Sequence, residues 1–114
     1  MLLEGDAIVL AGATGRVGGA TLATLVHEGA RVIVVSRAAE RAREAIDGIL
    51  DDAERAAAVP FAADLSDPAQ ALAAVDACVE RFGRVDAVVS LAGEGRVVRL
   101  ADSTITDLRE NVAA

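Results

Sequence analysis

The sequence predicts an α/β fold in which short buried strands alternate with helices. Four segments are short and apolar, as expected of strands that are covered on both faces; they are Ala7 to Ala11, Arg31 to Ser36, Val59 to Ala63 and Asp86 to Ala92. Pro60 removes a backbone donor from the third segment and so favours an edge position for it. Because helical stretches separate the strands, we expect a parallel sheet with right-handed crossovers.

Two of the helices are predicted from apolar residues at helical spacing. The first is expected from Gly15 to Glu28 and is ended by Gly29. Its apolar stripe comprises Val17, Leu22, Leu25 and Val26. The second is expected from Ala38 to Ala58, in a stretch rich in Ala, Glu and Arg that Gly48 weakens or divides. Its apolar contacts are Ile46, Ile49 and Leu50.

The third helix has the clearest start, because Asp67 is suited to the N-cap, Pro68 to the first helical position and Gln70 to the third. Helical spacing continues to Phe82, and Gly83 ends the helix. Its apolar positions are Leu72, Val75 and Val79. A last helix is expected to begin near Ser103. No linker or repeat divides the chain, so residues 1–114 are interpreted as one domain.

Composition excludes several function classes. A formal charge of −7 argues against a nucleic-acid partner. All eleven basic residues are Arg, so lysine chemistry such as a Schiff base or a P-loop lysine is excluded. Cys78 is the only cysteine, and neither it nor His27 has metal ligands at suitable spacing. No apolar run approaches the ~20 residues of a membrane span. We therefore expect a cytoplasmic protein without a metal.

A glycine-rich turn follows the first strand. Residues 8–19 read IVLAGATGRVGG, which places Gly12, Gly15 and Gly18 between a strand and a helix. In this context a diphosphate approaches the main chain closely and meets the free N–H groups and positive dipole of the helix. The motif predicts dinucleotide binding on a half-Rossmann unit with strand order 3-2-1-4. A purely structural turn without a ligand is the alternative.

The end of the second strand indicates which dinucleotide is bound. Where an acidic residue would grip a ribose 2′-hydroxyl, the chain has Ser36 and Arg37, and no carboxylate follows until Glu40. A hydroxyl and a guanidinium favour a 2′-phosphate. Arg16 in the turn adds a second cation. The prediction is NADP(H), with NAD(H) as the alternative cofactor and simply solvated arginines as the other interpretation.

With these motifs the whole chain resembles the short-chain dehydrogenase/reductase family. GATGRVG is similar to the family's glycine motif, although its spacing is that of the extended and atypical branches and Ala11 replaces the usual Thr. VVSR, ending at Arg37, resembles the second strand of NADP-preferring members. The resemblance implies a cofactor contact from each of the turn residues Gly12, Thr14, Gly15, Arg16, Val17 and Gly18.

Two later segments extend the resemblance. AADLSD resembles the segment that embraces the adenine ring, which implies that role for Asp64 and Leu65. RFGRVDAVVSLAG is similar to the family motif ending in Asn-Asn-Ala-Gly. Ser90 and Leu91 replace both asparagines, while Ala92 and Gly93 would let the cofactor ribose lie against the backbone. The four landmarks occur in the family's order.

The family's catalytic residues have no counterpart here. Members use Ser and a Tyr-x-x-x-Lys pair, and this sequence contains neither Tyr nor Lys. Asn111 does not match the register of the family's helical Asn and is interpreted as helix surface. We therefore predict no catalytic residues and no turnover by the chain alone, which is interpreted as truncated before the catalytic half.

Three kinds of protein remain open at this point. The chain is the NADP(H)-binding portion of a carbonyl/alcohol oxidoreductase, a non-enzymatic nucleotide-sensing or interaction module, or one fragment of a split enzyme. The fourth strand is expected at an exposed edge of the sheet, which invites self-association or pairing with the missing half. The substrate cannot be predicted from these residues.

Overall fold

The computed structural model describes residues 1–91, 100–102 and 104–106 of the chain. The strands within these residues are β1 (Ala7–Ala11), β2 (Arg31–Ser36), β3 (Ala58–Ala62) and β4 (Ala87–Ser90). The α-helices are α1 (Arg16–His27), α2 (Ala39–Ile49) and α3 (Pro68–Phe82). Single turns of 3₁₀ helix lie at Arg55–Ala57 and Leu100–Asp102. The alternation of strands and helices confirms the predicted α/β class.

The four strands form one parallel sheet in the order β3-β2-β1-β4. This is the predicted order 3-2-1-4. β3 contains Pro60 and lies at one edge, as the missing backbone donor of proline requires. β4 lies at the other edge. β3 is shifted one residue toward the N-terminus relative to the prediction. β4 is shorter than predicted, because it begins one residue later and ends at Ser90.

The sheet is covered by helices on both faces. Alternate side chains of β1 and β2 point to opposite faces, and each set packs in its own cluster. The cluster with α1 and α2 includes Ile8, Leu10, Val32, Val34, Leu22, Val26, Ala42 and Ile46. The cluster with α3 includes Val9, Ile33, Val35, Ala74 and Cys78. β1 and β2 are therefore buried on both faces, which explains their uninterrupted apolar sequences.

The end of α1 follows the glycine prediction. Gly29 has a φ of +93°, and its N–H donates to the Val26 carbonyl at 3.0 Å. The next N–H, from Ala30, reaches back to the Leu25 carbonyl at 3.0 Å. These two bonds form a Schellman motif, which satisfies the carbonyls at the helix end and turns the chain into β2.

The predicted extent of the second helix is wrong. α2 ends at Ile49, because Leu50 adopts an extended backbone with a ψ of 145° and buries its side chain. Asp51 and Glu54 then form a reciprocal capping pair. The Asp51 N–H donates to Glu54 Oε1 at 3.1 Å, and the Glu54 N–H donates to Asp51 Oδ1 at 2.9 Å. This pair begins a new turn, which leads through the 3₁₀ segment into β3.

α3 begins and ends as predicted, but its buried face differs. Asp67 caps the helix by accepting from the Ala69 N–H at 3.0 Å, and Gly83 ends it with a φ of +82°. The residues buried against the sheet are the small Ala74 and Cys78, which let the helix approach β1 and β2 closely. The larger residues predicted to pack are 61% exposed at Leu72 and 43% exposed at Val79.

Candidate functional site

The glycine turn joins β1 to α1 within four residues, 12–15. Gly12 has a φ of +91°, a backbone conformation that residues with a Cβ rarely adopt. An ideal Cβ on Gly18 would lie 1.8 Å from the Gly12 carbonyl oxygen and 2.8 Å from the Ala13 Cα. A Cβ on Gly15 would make only an ordinary contact, 3.8 Å from the same oxygen. The geometry therefore requires glycine at 12 and 18.

The start of α1 exposes main-chain donors. The earliest hydrogen bond of the helix runs from the Gly19 N–H to the Gly15 carbonyl at 2.8 Å. Gly15 occupies the N-cap and has no side chain to satisfy the N–H groups of the first turn. In the described part of the chain, nothing accepts from the N–H groups of Arg16, Val17 and Gly18. No acidic residue lies in the first turn, so the turn is suited to an anion.

The turn lies at the carboxyl ends of the parallel strands, beside the position where the sheet changes direction. β1 pairs with β2 on one side and with β4 on the other, and this switch point is where open α/β sheets bind their ligands. The loops after β2 and β3 meet the same edge, because the Ala63 N–H donates to the Ser36 carbonyl at 2.9 Å. Arg37 and Asp64 are therefore neighbours at this edge.

Ser36 and Arg37 follow the end of β2, as predicted. Ser36 is half-buried and Arg37 is exposed. Among the described residues, no carboxylate lies within ion-pair distance of the Arg37 guanidinium. Arg37 nevertheless lies close enough to Asp64 for its positive charge to stabilise the Asp64 carboxylate. The guanidinium is thus available to a ligand that enters between the glycine turn and the end of β2.

The loop after β3 is held by its own hydrogen bonds. Asp64 Oδ1 accepts from the Ser66 hydroxyl at 2.6 Å and from the Ser66 N–H at 3.0 Å. These two bonds, and more weakly the charge of Arg37, hold the pKa of Asp64 below its usual range. Asp64 Oδ2 and the Leu65 N–H have no partner in the described part of the chain. The loop therefore presents a charged acceptor and a donor side by side.

Gln70 supports this loop in a way that the sequence did not predict. Its position in α3 suggested a capping box, in which it would bond to the Asp67 N–H. Instead, Gln70 Oε1 accepts from the Asp64 N–H at 2.7 Å, and Gln70 Nε2 donates to Asp67 Oδ2 at 3.1 Å. The Asp67 N–H donates to the Asp64 carbonyl at 3.1 Å. Gln70 thus fixes the backbone at Asp64.

A groove of about 600 Å³ lies between the glycine turn and α2. Its lining includes Thr14, Gly15, Arg16, Arg41, Glu44 and Ile49. Thr14 and Arg16 were predicted to contact the cofactor, and both are exposed to this groove. Arg41 was not predicted, because it lies four residues beyond the motif at the end of β2.

The remaining predicted residues divide into exposed and undescribed ones. Val17 is 68% exposed beside the turn and does not join the apolar stripe of α1. Leu91 is described, and its N–H donates to the Ala11 carbonyl at 2.9 Å, which holds the end of β4 next to the turn. Ala92 and Gly93 lie outside the described residues. Asn111 and most of the predicted last helix also lie outside them.

Two other classes of site are absent from the described ranges. Residues 1–91, 100–102 and 104–106 contain no group of three or more His, Cys, Asp or Glu side chains that could hold a metal ion. Over the same ranges, no helix combines the length and the apolar character needed to cross a membrane.

Comparison with known proteins identifies relatives with this arrangement. The family model of the short chain dehydrogenases matches residues 6–113. D-threitol dehydrogenase of Mycolicibacterium smegmatis is 33% identical over 111 residues, which cover 97% of this chain and 42% of the relative. The chain therefore spans less than half the length of this relative.

Solved structures agree with the sequence relatives. A short chain dehydrogenase from Burkholderia cenocepacia, in complex with NADP, has a TM-score of 0.77 and 32% identity, covering 99% of this chain and 46% of that one. A 3-ketoacyl-(acyl-carrier-protein) reductase from Brucella melitensis, complexed with NADH, has a TM-score of 0.78 and 30% identity, covering 97% and 44%. Both share the fold, and they hold different cofactors.

Proposed function

The chain belongs to the short-chain dehydrogenase/reductase family, and we propose on this basis that it forms the part of an oxidoreductase that binds NADP(H) in preference to NAD(H). The observation that carries the proposal is the glycine turn. A Cβ at position 18 would fill the space beside the Gly12 carbonyl, while the N–H groups of the first turn of α1 lack acceptors in the described part of the chain. A diphosphate fits both features.

The preference for NADP(H) is proposed from Ser36, Arg37 and Arg16. A guanidinium offers paired donors to a phosphate and remains charged at any physiological pH. Arg37 has no ion-pair partner among the described residues, and Arg16 lines the groove beside the glycine turn. The relatives bind either dinucleotide, as the NADP and NADH complexes show for those proteins. The local charges of this chain favour the phosphorylated one.

We propose that the adenosine lies across the ends of β2 and β3. Asp64 Oδ2 would accept from the adenine amino group, and the Leu65 N–H would donate to a ring nitrogen. Gln70 would hold both groups in position through its bond to the Asp64 N–H. Ala92 and Gly93 are proposed to line the ribose on the nicotinamide side. These contacts bind and orient the cofactor without taking part in proton transfer.

The bound cofactor would supply hydride transfer, while this chain would supply binding and orientation. The whole protein is proposed to act on a carbonyl/alcohol pair, as the family resemblance implies. The chain contains no Tyr and no Lys, the residues with which the family moves its proton. We therefore propose that residues 1–114 alone bind the cofactor without turnover.

We further propose that β4 pairs with a complementary half of the fold, in the same or another polypeptide. β4 is an edge strand in the described sheet, and its Val88 side chain is 56% exposed. An edge strand with exposed apolar side chains is a template for pairing. Self-association through the same edge is the competing outcome in isolation.

A reducing, cytoplasmic location is proposed because Cys78 is the only cysteine of the chain, so that no disulfide framework exists.

The Cys78 thiol itself is buried and donates weakly to the Arg84 carbonyl at 3.4 Å. Burial, together with the negative charge of Asp86, raises the pKa of Cys78 and so disfavours the reactive thiolate. The cysteine therefore serves packing.

The proposal is tested by titrating the chain with NADPH and NADH and following the fluorescence of the reduced nicotinamide. We expect NADPH to bind at least ~10-fold more tightly, since charge-assisted hydrogen bonds to one phosphate contribute more than 1 kcal/mol. Equal affinities would contradict the preference. No binding of either cofactor would contradict the assignment itself.

A further inference from the structure

The groove between the glycine turn and α2 contains one cation that the cofactor motifs do not account for. Arg41 lies in the first turn of α2 and lines the groove together with Gly15 and Arg16. Helical side chains lean toward the N-terminus of their helix. The N-terminus of α2 follows directly from the end of β2, so the Arg41 side chain leans toward the carboxyl ends of the strands, where the cofactor is proposed to bind.

No contact in the described part of the chain holds the Arg41 side chain away from the groove. Its side chain is exposed and makes no hydrogen bond or ion pair with any residue that the structure describes. By contrast, Arg55 is engaged by Asp47 and Asp52, and Arg84 by Asp86. A long cationic side chain that lines a groove without a partner is available to an anionic ligand.

The position of the groove indicates which anion this is. The proposed diphosphate lies on the N–H groups of the glycine turn, and the proposed adenine lies over Asp64 and Leu65. The ribose between them must pass the end of β2, next to Arg37 and the start of α2. We propose that Arg41 is a specificity-determining residue that contacts the ribose 2′-phosphate from the α2 side, an inference that rests on the proposed function.

The groove also contains an opposing charge. Glu44 lines it one helical turn after Arg41, and Glu40 lies next to Arg41 in the first turn of α2. Among the charged residues that line the groove, Arg16 and Arg41 outnumber Glu44. Removal of Arg41 leaves one arginine against one glutamate in this lining, so the electrostatic attraction for a phosphate at this position falls. Arg41 thus supplies the net positive charge of the groove lining.

The experiment compares NADPH and NADH affinities of the wild-type chain with those of Arg41→Ala. We expect NADPH binding to weaken ~5-fold at low salt, while NADH binding changes less than ~2-fold, because only NADPH has the 2′-phosphate. Arg43→Ala is the matched control. Arg43 is exposed on the same helix and does not line the groove, so both affinities should be unchanged. Arg41→Lys should recover part of the NADPH affinity.

The outcomes separate the two proposals. If the wild type prefers NADPH and Arg41→Ala retains the full preference, Arg41 does not contact the phosphate and this inference is overturned. An equal loss of both affinities would overturn it too, because the effect would not concern the 2′-phosphate. If the wild type bound neither cofactor, the proposed function would be contradicted, and the inference about Arg41 with it. Matching melting temperatures for the three variants would show that folding is not the cause.

Discussion

Gly18 packs against Gly12 so closely that an ideal Cβ on Gly18 would stand 1.8 Å from the Gly12 carbonyl oxygen. This contact brings the first turn of α1, whose N–H groups lack acceptors in the described part of the chain, against the carboxyl end of β1. Because the neighbouring atoms are backbone, no side-chain movement can relieve the overlap. The shape of the turn and the proposed binding of a diphosphate to it therefore depend on the same pair of residues.

Gly18→Ala is expected to destabilise the chain and abolish cofactor binding. The added methyl must displace the turn, at a cost of about 1–3 kcal/mol or more in the free energy of unfolding. Urea denaturation and NADPH titration measure the two effects. Gly48→Ala is the control, since a Cβ there meets nothing within 4 Å and replaces a helical glycine. It should stabilise by roughly 0.5–1 kcal/mol and leave binding unchanged. A Gly18→Ala chain that bound NADPH normally would refute the argument.

Arg37→Asp is expected to invert the cofactor preference. The carboxylate would repel a 2′-phosphate and accept a hydrogen bond from a ribose 2′-hydroxyl, as acidic residues at this position do in NAD-binding folds. NADPH affinity should fall by ~10-fold or more, and NADH affinity should rise or hold. Parallel fluorescence titrations measure both. Unchanged affinities would show that Arg37 is only a solvated surface residue.

Val88→Lys is expected to reduce association of the isolated chain. A charged side chain on an edge strand opposes further strand pairing. Val88 is 56% exposed, so the unfolding free energy should change by less than about 0.5 kcal/mol. Sedimentation velocity over a range of concentrations measures the effect. Val89→Lys is the contrasting variant, because Val89 packs against the core and its replacement should destabilise the fold. Concentration-dependent association that survives Val88→Lys would exclude pairing through β4.

Asp86→Asn is expected to lower stability at neutral pH but not in acid. Asp86 Oδ1 accepts from Arg84 Nη2 at 2.6 Å, and Asp86 Oδ2 accepts from the Ala7 N–H at 2.8 Å. These contacts hold the pKa of Asp86 below its usual value of 3.8. A lowered folded-state pKa stabilises the fold above the unfolded-state pKa, and this contribution is lost as the pH falls through the folded-state pKa.

Urea denaturation across pH measures this contribution. The difference between wild type and Asp86→Asn should be full near pH 6 and should shrink from about pH 4 downward. Asp76→Asn is the control. Asp76 is exposed on α3 and has no hydrogen bond or ion pair in the described part of the chain, so its replacement should have little effect at either pH. A difference for Asp86→Asn that is constant with pH would contradict the ionic origin.

Local sequence features predicted much of this fold because their physical causes are local. Asp67, Pro68 and Gly83 determine the ends of α3 through capping and backbone geometry, whatever the helix packs against. The uninterrupted apolar runs of β1 and β2 predict burial on both faces, which the two core clusters confirm. Pro60 places β3 at an edge. The strand order 3-2-1-4 was predicted from the glycine motif and the half-Rossmann unit that it indicates, and the sheet confirms it.

Features that depend on tertiary contacts could not be predicted in the same way. Helix propensity continues past Ile49, yet burial of Leu50 and the Asp51–Glu54 capping pair end α2 there. The spacing of that pair was a visible signal of a new turn. In α3 the small residues Ala74 and Cys78 face the sheet. Apolar spacing alone had predicted that larger residues, Leu72 and Val79 among them, would pack there. Gln70 was predicted only as part of the helix start, and Arg41 belongs to none of the motifs; only the structure shows the Asp64 loop that Gln70 supports and the groove that Arg41 lines.

The most direct test follows the backbone amides of the glycine turn by two-dimensional ¹⁵N–¹H NMR during addition of NADPH. Large, saturable shifts are expected for the N–H groups of Arg16, Val17 and Gly18, which are the donors proposed to meet the diphosphate. The amide of Gly83, at the opposite end of the sheet, should be unaffected. Binding of NADPH that leaves the three turn amides unmoved would contradict the account.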